Sequence, residues 1–411
     1  MEKTAFIERG QDLLKDLEER SVFLYGPRQT GKSRLAAHIL PQDTYLIDLL
    51  DPATLVKFSQ SPSLLQAEVE QRQLRNTVVM IDEIQRLPSL LDEVHRLIEN
   101  RGIRFLLTGS SARRLKQAPA GDINLLGGRA RERYLHPFSF IELGEEHFDL
   151  RRALNIGLLP PIYFSKDPRA DLASYVGTYL GVEISQEARL RKLDSFSRFL
   201  KIAALESGRM INFKNISNDA KVPAATVASY YQILKDTRFC HELPAWKKGR
   251  KRKAFETAKF YFFDSGVARS LNGQPFVKEG SGDFGDAFEA YIFHEIKTYL
   301  DYRNPYTELS YWRSTSGFEV DFLLGNETAI EVKAKKEVPL RDLSGLEALS
   351  EEGVFRRFIV VSLEPNERRI SLKGKKAGNA ATSDLFVDIL PWKKFLEYLW
   401  SGALITKDEE V

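Results

Sequence analysis

The chain has 411 residues, 43% hydrophobic and 28% charged, a composition typical of folded proteins with about two to four domains. Its formal net charge of +3 is small, so affinity for nucleic acid would have to come from local basic patches. A single cysteine, no signal-peptide pattern and no apolar run of ~18 residues together predict a cytoplasmic protein without a disulfide framework or a membrane segment.

The first predicted element is the segment SVFLYGPRQTGKSRLAAHIL, an apolar strand followed by Gly-x4-Gly-Lys-Ser and an amphipathic helix. This order of strand, loop and helix is the one that a phosphate-binding P-loop requires. Lys32 would contact the β- and γ-phosphates and Ser33 would ligate Mg²⁺, while backbone N–H groups surround the phosphates. The predicted binding residues for ATP are Gly26, Pro27, Arg28, Gln29, Thr30, Gly31, Lys32, Ser33 and Arg34.

Two further strands carry polar residues at their ends. TVVMIDEIQRL ends in two acids, of which Asp82 is predicted to hold the Mg²⁺ ion and Glu83 to activate the attacking water as a general base. IRFLLTGSS ends in three hydroxyl residues, of which Ser110 is the candidate contact to the nucleotide. A simple strand-terminating turn explains any one of these hydroxyls equally well.

Several motifs carry a resemblance that spans nearly the whole chain: YGPRQTGKS, VVMIDEIQRLP, FLLTGSSARRL and LLGGRARERYLHPFSFIEL. They resemble bacterial and archaeal AAA-type P-loop ATPases that carry a C-terminal DUF4143 domain of nuclease-like fold. The resemblance implies an ATPase domain over residues 1–150 and a homo-oligomer. It also implies that Arg129 stabilises charge on the transferred phosphoryl group, in its own subunit or in a neighbouring one. The alternative for Arg129 is an ordinary surface arginine.

A helical connector is predicted over residues 151–190 and a winged helix-turn-helix over 191–275. NISNDAKVPAATVASYYQILKDT has the pattern of a short helix, a turn and a longer helix, and two strands follow around a basic loop. The longer helix lacks Arg and Lys over residues 224–234, which favours sequence-independent binding of duplex or branched DNA. A solvated loop and a packing module are the alternatives. The candidate phosphate contacts are Lys247, Lys248, Arg250, Lys251, Arg252 and Lys253.

The last predicted domain covers residues 280–411 and contains the hairpin GFEVDFLLGNETAIEVKAK. Its order of helix, hairpin, strand, helix and strand resembles the PD-(D/E)XK nuclease core. The resemblance implies that Asp321 and Glu331 bind Mg²⁺, that Glu289 assists them, and that Lys333 positions the attacking water. Cleavage does not follow from the fold, because such a domain also serves as a binding surface.

The predicted fold class is α/β: a P-loop ATPase with a parallel β-sheet, a winged helix-turn-helix, and a restriction-endonuclease-like α/β domain. The predicted function is that of an ATP-hydrolysing DNA-binding protein, an oligomeric translocase or remodeller. Two alternatives stay open at this stage. One is an ATP-regulated, metal-dependent, structure-specific nuclease, and the other is a nucleotide-controlled signalling switch that acts through protein partners.

Overall fold

In a computed structural model of the chain, the described residues are 6–110, 113–116, 126–180, 193–249, 251–274, 276–372 and 385–405. None of the helices in these ranges is long and apolar enough to cross a membrane.

The first part of the chain is an α/β unit around five parallel strands in the order β2-β3-β4-β1-β5. Every residue of β1 is buried, because helices cover both faces of the sheet. The parallel α/β architecture confirms the prediction. The strands are β1 (Ser21–Tyr25), β2 (Tyr45–Asp48), β3 (Val78–Asp82), β4 (Arg104–Gly109) and β5 (Ala130–Tyr134), and the helices are α1 (Leu13–Glu19), α2 (Lys32–Ile39), α3 (Pro52–Gln60), α4 (Leu64–Gln71), α5 (Leu90–Arg101), α6 (Arg113–Lys116) and α7 (Phe140–His147).

The middle part is mainly helical and ends in a two-stranded antiparallel hairpin, β6–β7. Two of its helices, α12 and α13, coincide with the short and the longer helix expected from the sequence. The elements are α8 (Leu150–Ile156), α9 (Pro160–Tyr163), α10 (Pro168–Ser174), α11 (Leu193–Leu205), α12 (Phe213–Ala220), α13 (Ala224–Asp236), β6 (Cys240–Leu243), β7 (Lys259–Phe262) and α14 (Ser265–Asn272).

The last part is a mixed six-stranded sheet in the order β12-β13-β11-β10-β9-β8. The antiparallel pair β9–β10 is the expected hairpin, and the long helix α15 packs against the sheet. The elements are α15 (Gly282–Arg303), β8 (Leu309–Arg313), β9 (Glu319–Leu324), β10 (Thr328–Lys333), α16 (Ser344–Ser350), β11 (Arg357–Ser362), β12 (Arg368–Leu372), β13 (Leu385–Pro391) and α17 (Trp392–Trp400).

Strand β7 lies between two hydrophobic cores. Phe260 and Phe262 pack in the core of the middle part, whereas Tyr261 packs in the core of the C-terminal part. Successive side chains of a strand point to opposite faces, so Lys259 and Tyr261 share the side that faces the C-terminal part. The middle and C-terminal parts are therefore joined along one strand, with apolar contacts on both of its faces.

The basic loop between β6 and β7 adds to the edge of the C-terminal sheet. The Trp246 N–H donates to the Tyr311 carbonyl at 2.7 Å, and the Phe255 N–H donates to the Arg313 carbonyl at 2.9 Å. Strand β8 is the edge of that sheet, and the loop satisfies backbone groups that an edge strand otherwise leaves unpaired. The loop is therefore held against the C-terminal domain at these two residues, and the winged helix-turn-helix stays a prediction.

Asp264 joins the start of α14 to the turn between α8 and α9. It is buried, and its carboxylate accepts hydrogen bonds from the N–H groups of Val267 at 3.0 Å and Leu158 at 2.7 Å. Burial raises the pKa of Asp264 from 3.8 to about 6, although backbone hydrogen bonds oppose the shift. The folded chain therefore binds a proton here more tightly than the unfolded chain does.

This raised pKa predicts how stability depends on pH. Protonation of Asp264 favours the folded state, so its contribution to the free energy of unfolding should rise as the pH falls from 7 to 4, by about 2 kcal/mol. Other buried groups titrate in this range, so the quantity to measure is the difference between the wild type and Asp264→Asn, from urea unfolding at several pH values. Asp167→Asn, which removes a carboxylate that caps the exposed start of α10, is the control. A difference that does not change with pH contradicts the assignment.

Candidate nucleotide site and C-terminal acidic cluster

The P-loop connects β1 to α2 and has backbone geometry that only glycine fits at two positions. A Cβ atom on Gly26 would lie 2.3 Å from the Leu135 carbonyl oxygen, and Gly31 has φ +98° immediately before α2 begins. Lys32 is buried, and its ammonium group donates to the carbonyl oxygens of Gly26 at 2.6 Å and Pro27 at 3.1 Å. The predicted loop residues therefore form one compact turn at the carboxyl ends of the parallel strands.

Ser33 and Asp82 meet beside this turn. The Ser33 hydroxyl donates to the Asp82 carboxylate at 2.7 Å, and the Thr108 hydroxyl at the end of β4 donates to the same carboxylate. A hydroxyl and a carboxylate side by side are oxygen ligands of the kind that Mg²⁺ uses together with phosphate oxygens. The residues present therefore fit a Mg²⁺ ion that accompanies a bound nucleotide, with Ser33 and Asp82 as its protein ligands.

Glu83 follows Asp82 in a left-handed backbone conformation, with φ 58° and ψ 46°. Such a conformation is uncommon for a residue other than glycine, and it frequently marks a functional position. The Gln85 side-chain amide donates to the Glu83 carboxylate and, at 3.0 Å, to the Ser110 hydroxyl. Sequence reasoning missed Gln85, because the motif DEIQ gives no sign that this amide turns back towards the acid.

A cavity of about 410 Å³ opens directly beside the P-loop. Its walls are mainly apolar and come from three distant stretches: the residues before α1, the segment that follows β5, and helix α9 with its flank. Sequence reasoning missed all the members beyond the P-loop, because no local motif marks them. The lining residues are Phe6, Ile7, Arg9, Gln29, Gly31, Arg34, Phe138, Pro160, Pro161 and Phe164.

Arg9 connects the P-loop to three other elements. Its buried guanidinium donates to the carbonyl oxygens of Thr30 and His136, both at 2.7 Å, and forms a 3.0 Å ion pair with Glu142 of α7. The same group lies 3.5 Å from the Tyr302 hydroxyl, which belongs to α15. The phosphate-binding loop is therefore linked through one side chain to the long helix of the C-terminal part.

Arg129 lies at the amino ends of the parallel strands, whereas the P-loop lies at their carboxyl ends. Ala130 pairs with Ser21, the first residue of β1, whereas the P-loop follows Tyr25 at the other end of that strand. A strand of this length spans about 15 Å. The Arg129 side chain is 38% exposed and pairs with Glu99 of α5. Arg131 and Arg133 pair with Asp16, so neither extends towards the P-loop.

The C-terminal part brings Glu289, Asp321, Glu331 and Lys333 together, as the sequence predicted. Asp321 on β9 lies beside β10 and accepts a hydrogen bond from the Val332 N–H at 2.8 Å, and Lys333 pairs with Glu331. Burial, the charge of Asp321 and the charge of Glu289 raise the pKa of Glu331 well above its usual value, although Lys333 opposes the shift. Burial followed by the charge of Asp321 raises the pKa of Glu289 to about 7.

Two residues of β7 complete this C-terminal acidic cluster, and sequence reasoning missed both of them. The Lys259 ammonium lies 2.7 Å from Glu319 and 3.5 Å from Glu289, and the Tyr261 hydroxyl donates to Glu289 at 2.5 Å. Burial by itself would lower the pKa of Lys259, but the surrounding carboxylates raise it. No group of three or more metal-ligating side chains in the described ranges is arranged to hold a metal ion. In this structure the carboxylates of Glu289 and Glu331, two of the three predicted Mg²⁺ ligands, are paired with the ammonium groups of Lys259 and Lys333.

The basic run lies on the surface of the loop that joins β6 to β7. Lys247 pairs with Glu256 and Lys248 with Glu308, both through exposed side chains, and such pairs contribute little to stability. Arg252 instead pairs with Glu351, and its N–H donates to Glu352 at 3.0 Å. Lys251 and Lys253 are exposed. Arg250 lies outside the described residues.

The chain has the fold and the phosphate-binding loop of a P-loop ATPase. Residues 18–144 match the AAA domain family, and residues 284–379 match a family described as domain of unknown function DUF4143. The chain is thus an AAA-type ATPase with a C-terminal DUF4143 domain. Residues 147–277 match another domain of unknown function, DUF8612.

Comparison with curated proteins gives no match. Among solved structures, the Thermotoga maritima RuvB Holliday junction branch migration motor is 17% identical, covers 56% of this chain and 87% of its own, and has a TM-score of 0.29. Can2 from Sulfobacillus thermosulfidooxidans, in complex with cyclic tetra-adenylate, is 11% identical, covers 82% of this chain and 91% of its own, and has a TM-score of 0.17. Scores this low carry no argument about function.

Proposed function

We propose that the protein hydrolyses ATP with Glu83 as the general base. The observation that carries this proposal is the arrangement at the end of β3, where Asp82 meets Ser33 and the next residue, Glu83, is turned by its left-handed backbone towards Gln85. A bound Mg²⁺ ion would neutralise charge on the phosphates. Lys32 would bind the β- and γ-phosphates, and Glu83 would accept a proton from the attacking water.

The apolar cavity beside the P-loop is suited to the base of the nucleotide. Phe138, Pro160 and Phe164 offer flat or rigid apolar surfaces, and the cavity borders Gln29 and Gly31 of the loop. A purine ring has two large faces that such surfaces can cover, while the phosphates remain at the helix end. Closure of the cavity by α9 would make nucleotide binding sensitive to the position of the middle part.

We also propose that Arg129 acts on the nucleotide of a neighbouring subunit in a homo-oligomer. The support is its position at the amino ends of the parallel strands, from which its side chain cannot reach the P-loop of its own subunit. A head-to-tail arrangement would bring this edge of one subunit to the P-loop edge of the next. The hydrogen bond from Arg20 to the Gly128 carbonyl, at 2.5 Å, would hold the loop before Arg129 in place.

For the partner, we propose duplex or branched DNA held by its phosphates, with α12, α13 and β6–β7 acting as a winged helix. The support is the exposed Lys247, Lys248, Lys251 and Lys253 on one loop. The outward residues of α13, among them Ala225, Ser229 and Gln232, are small or neutral, so contacts to bases would contribute little. A translocase or remodeller would use ATP to change how this loop and the helices are presented.

Glu83→Gln should separate nucleotide binding from turnover. The amide keeps the size of the side chain but cannot accept a proton, so kcat should fall by about 10²-fold or more while ATP affinity stays close to that of the wild type. Steady-state hydrolysis and equilibrium binding of a fluorescent ATP analogue measure the two quantities. Glu70→Gln, an exposed acid of α4 paired with Arg101, is the control. Turnover at the wild-type rate by Glu83→Gln would show that another group is the base.

Mixing two inactive variants tests whether Arg129 acts between subunits. Lys32→Ala and Arg129→Ala should each hydrolyse ATP very slowly, but random mixing should create an intact P-loop facing an intact Arg129 at about a quarter of the interfaces. Recovery of hydrolysis on mixing is the expected result. Arg101→Ala, on the same rim of the sheet, should be active without mixing. An inactive mixture of subunits shown to exchange would rule out action between subunits.

Replacing Lys251 and Lys253 together with Ala should weaken DNA binding through the loss of phosphate contacts. The slope of log K against log salt should become less steep by up to about 1.8, since each neutralised phosphate contributes about 0.9. Arg252 stays unchanged because it holds the loop to Glu351. The control replaces Lys393 and Lys394 of α17, two other exposed lysines. Equal slopes for the wild type and the loop variant would place the DNA contact elsewhere.

A further inference from the structure

The C-terminal acidic cluster contains more carboxylates than the hairpin motif alone supplies. Glu319 stands two residues before Asp321 on β9, and Glu289 comes from α15. Carboxylates gathered in a partly buried place repel each other unless cations lie among them. Lys333 supplies one positive charge, through its pair with Glu331. Arg313 of β8 supplies another, through its 3.2 Å ion pair with Glu319, and a third comes from outside the domain, from Lys259 on β7.

Lys259 is placed at the cluster by the fold of its own strand. Phe260 and Phe262 fix β7 in the core of the middle part, so Lys259 points the other way, into the C-terminal part. Its side chain is 5% exposed, and its ammonium also lies 5.2 Å from the centre of the Tyr311 ring. A lysine this well covered would be costly to bury without the acids around it.

Tyr261 supports the same contact. Its ring stacks on Phe293 of α15, with centroids 4.1 Å apart and planes 12° from parallel, and its hydroxyl donates to Glu289. Glu289 is thus held by two groups of β7 rather than being free to ligate a metal. One oxygen of Glu331, Oε2, is buried and has no hydrogen-bond partner in the structure. The cluster therefore retains one buried carboxyl oxygen without a hydrogen-bond partner.

We infer that Lys259 is the cation that the middle part contributes to the C-terminal acidic cluster, so that its ion pairs hold β7 to the C-terminal domain and exclude a divalent metal ion while β7 stays in place. The cluster then acts as an ion-pair contact between the two domains. A metal site would form only where the Lys259 ammonium group is removed. Asp321 and Glu331 would be the first ligands of such a metal, since oxygen atoms suit Mg²⁺ and Mn²⁺.

The test is Mn²⁺ binding to the nucleotide-free full chain, followed by the paramagnetic resonance signal of free Mn²⁺. Lys259→Met keeps the length of the side chain and removes its charge. It should bind Mn²⁺ at least about tenfold more tightly than the wild type. Adding Glu331→Gln to Lys259→Met should abolish this gain, which separates the cluster from the P-loop metal site. Lys278→Met, at an exposed lysine shortly before α15, is the matched control and should behave as wild type.

A second measurement follows how firmly β7 is held to the C-terminal domain. Amide hydrogen exchange over residues 259–262 should be faster in Lys259→Met than in the wild type and in Lys278→Met. If Lys259→Met does not fold, the double variant Lys259→Met/Glu319→Gln is measured instead. It removes one charge of each sign from the cluster. Equal Mn²⁺ affinity in the wild type and the folded Lys259 variant, or unchanged exchange at β7, would overturn the inference.

Discussion

The buried guanidinium of Arg9 is the contact on which the arrangement around the nucleotide site depends. A buried cation is tolerated only where acceptors surround it, and here the acceptors come from the P-loop, the end of β5, α7 and α15. Loss of the ion pair with Glu142 would leave this buried cation with neutral acceptors alone. The P-loop is therefore held in register with a helix that lies nearly 300 residues further along the chain.

The same physical principle applies at the other contacts between the three parts. His136 at the end of β5 pairs with Asp301 of α15 at 2.7 Å, and Lys259 of β7 pairs with Glu289 and Glu319. Buried polar pairs of this kind require accurate geometry, because a group that loses its partner stays buried without compensation. A change of position in one part would thus alter specific ion pairs in the next. This is a physical route by which nucleotide binding would influence the C-terminal domain.

Much of the nucleotide site could be predicted from the sequence, because its signals are local. Residues 26–34 are contiguous, and Asp82 and Glu83 stand at the end of an unmistakable apolar strand. The acids of the β9–β10 hairpin could be predicted equally well, since the antiparallel pairing of two adjacent strands brings Asp321 and Glu331 together. The partners of these groups could not be predicted from the sequence. Gln85, Pro160, Phe164, Lys259 and Tyr261 belong to no pattern of spacing, and long-range packing alone brings them to the sites.

The sequence by itself determined the class of the first domain, the P-loop and the composition of the hairpin, because strands, turns and helix starts follow from periodicity and glycine positions over a few residues. Only the tertiary structure decided what surrounds them. The parallel register of β5 with β1 placed Arg129 at the amino ends of the strands, away from its own P-loop, and the two-sided position of β7 brought Lys259 to the acids of another domain. Those outcomes depend on which elements pack side by side, and a buried charge is stabilised by neighbours in space rather than by neighbours along the chain.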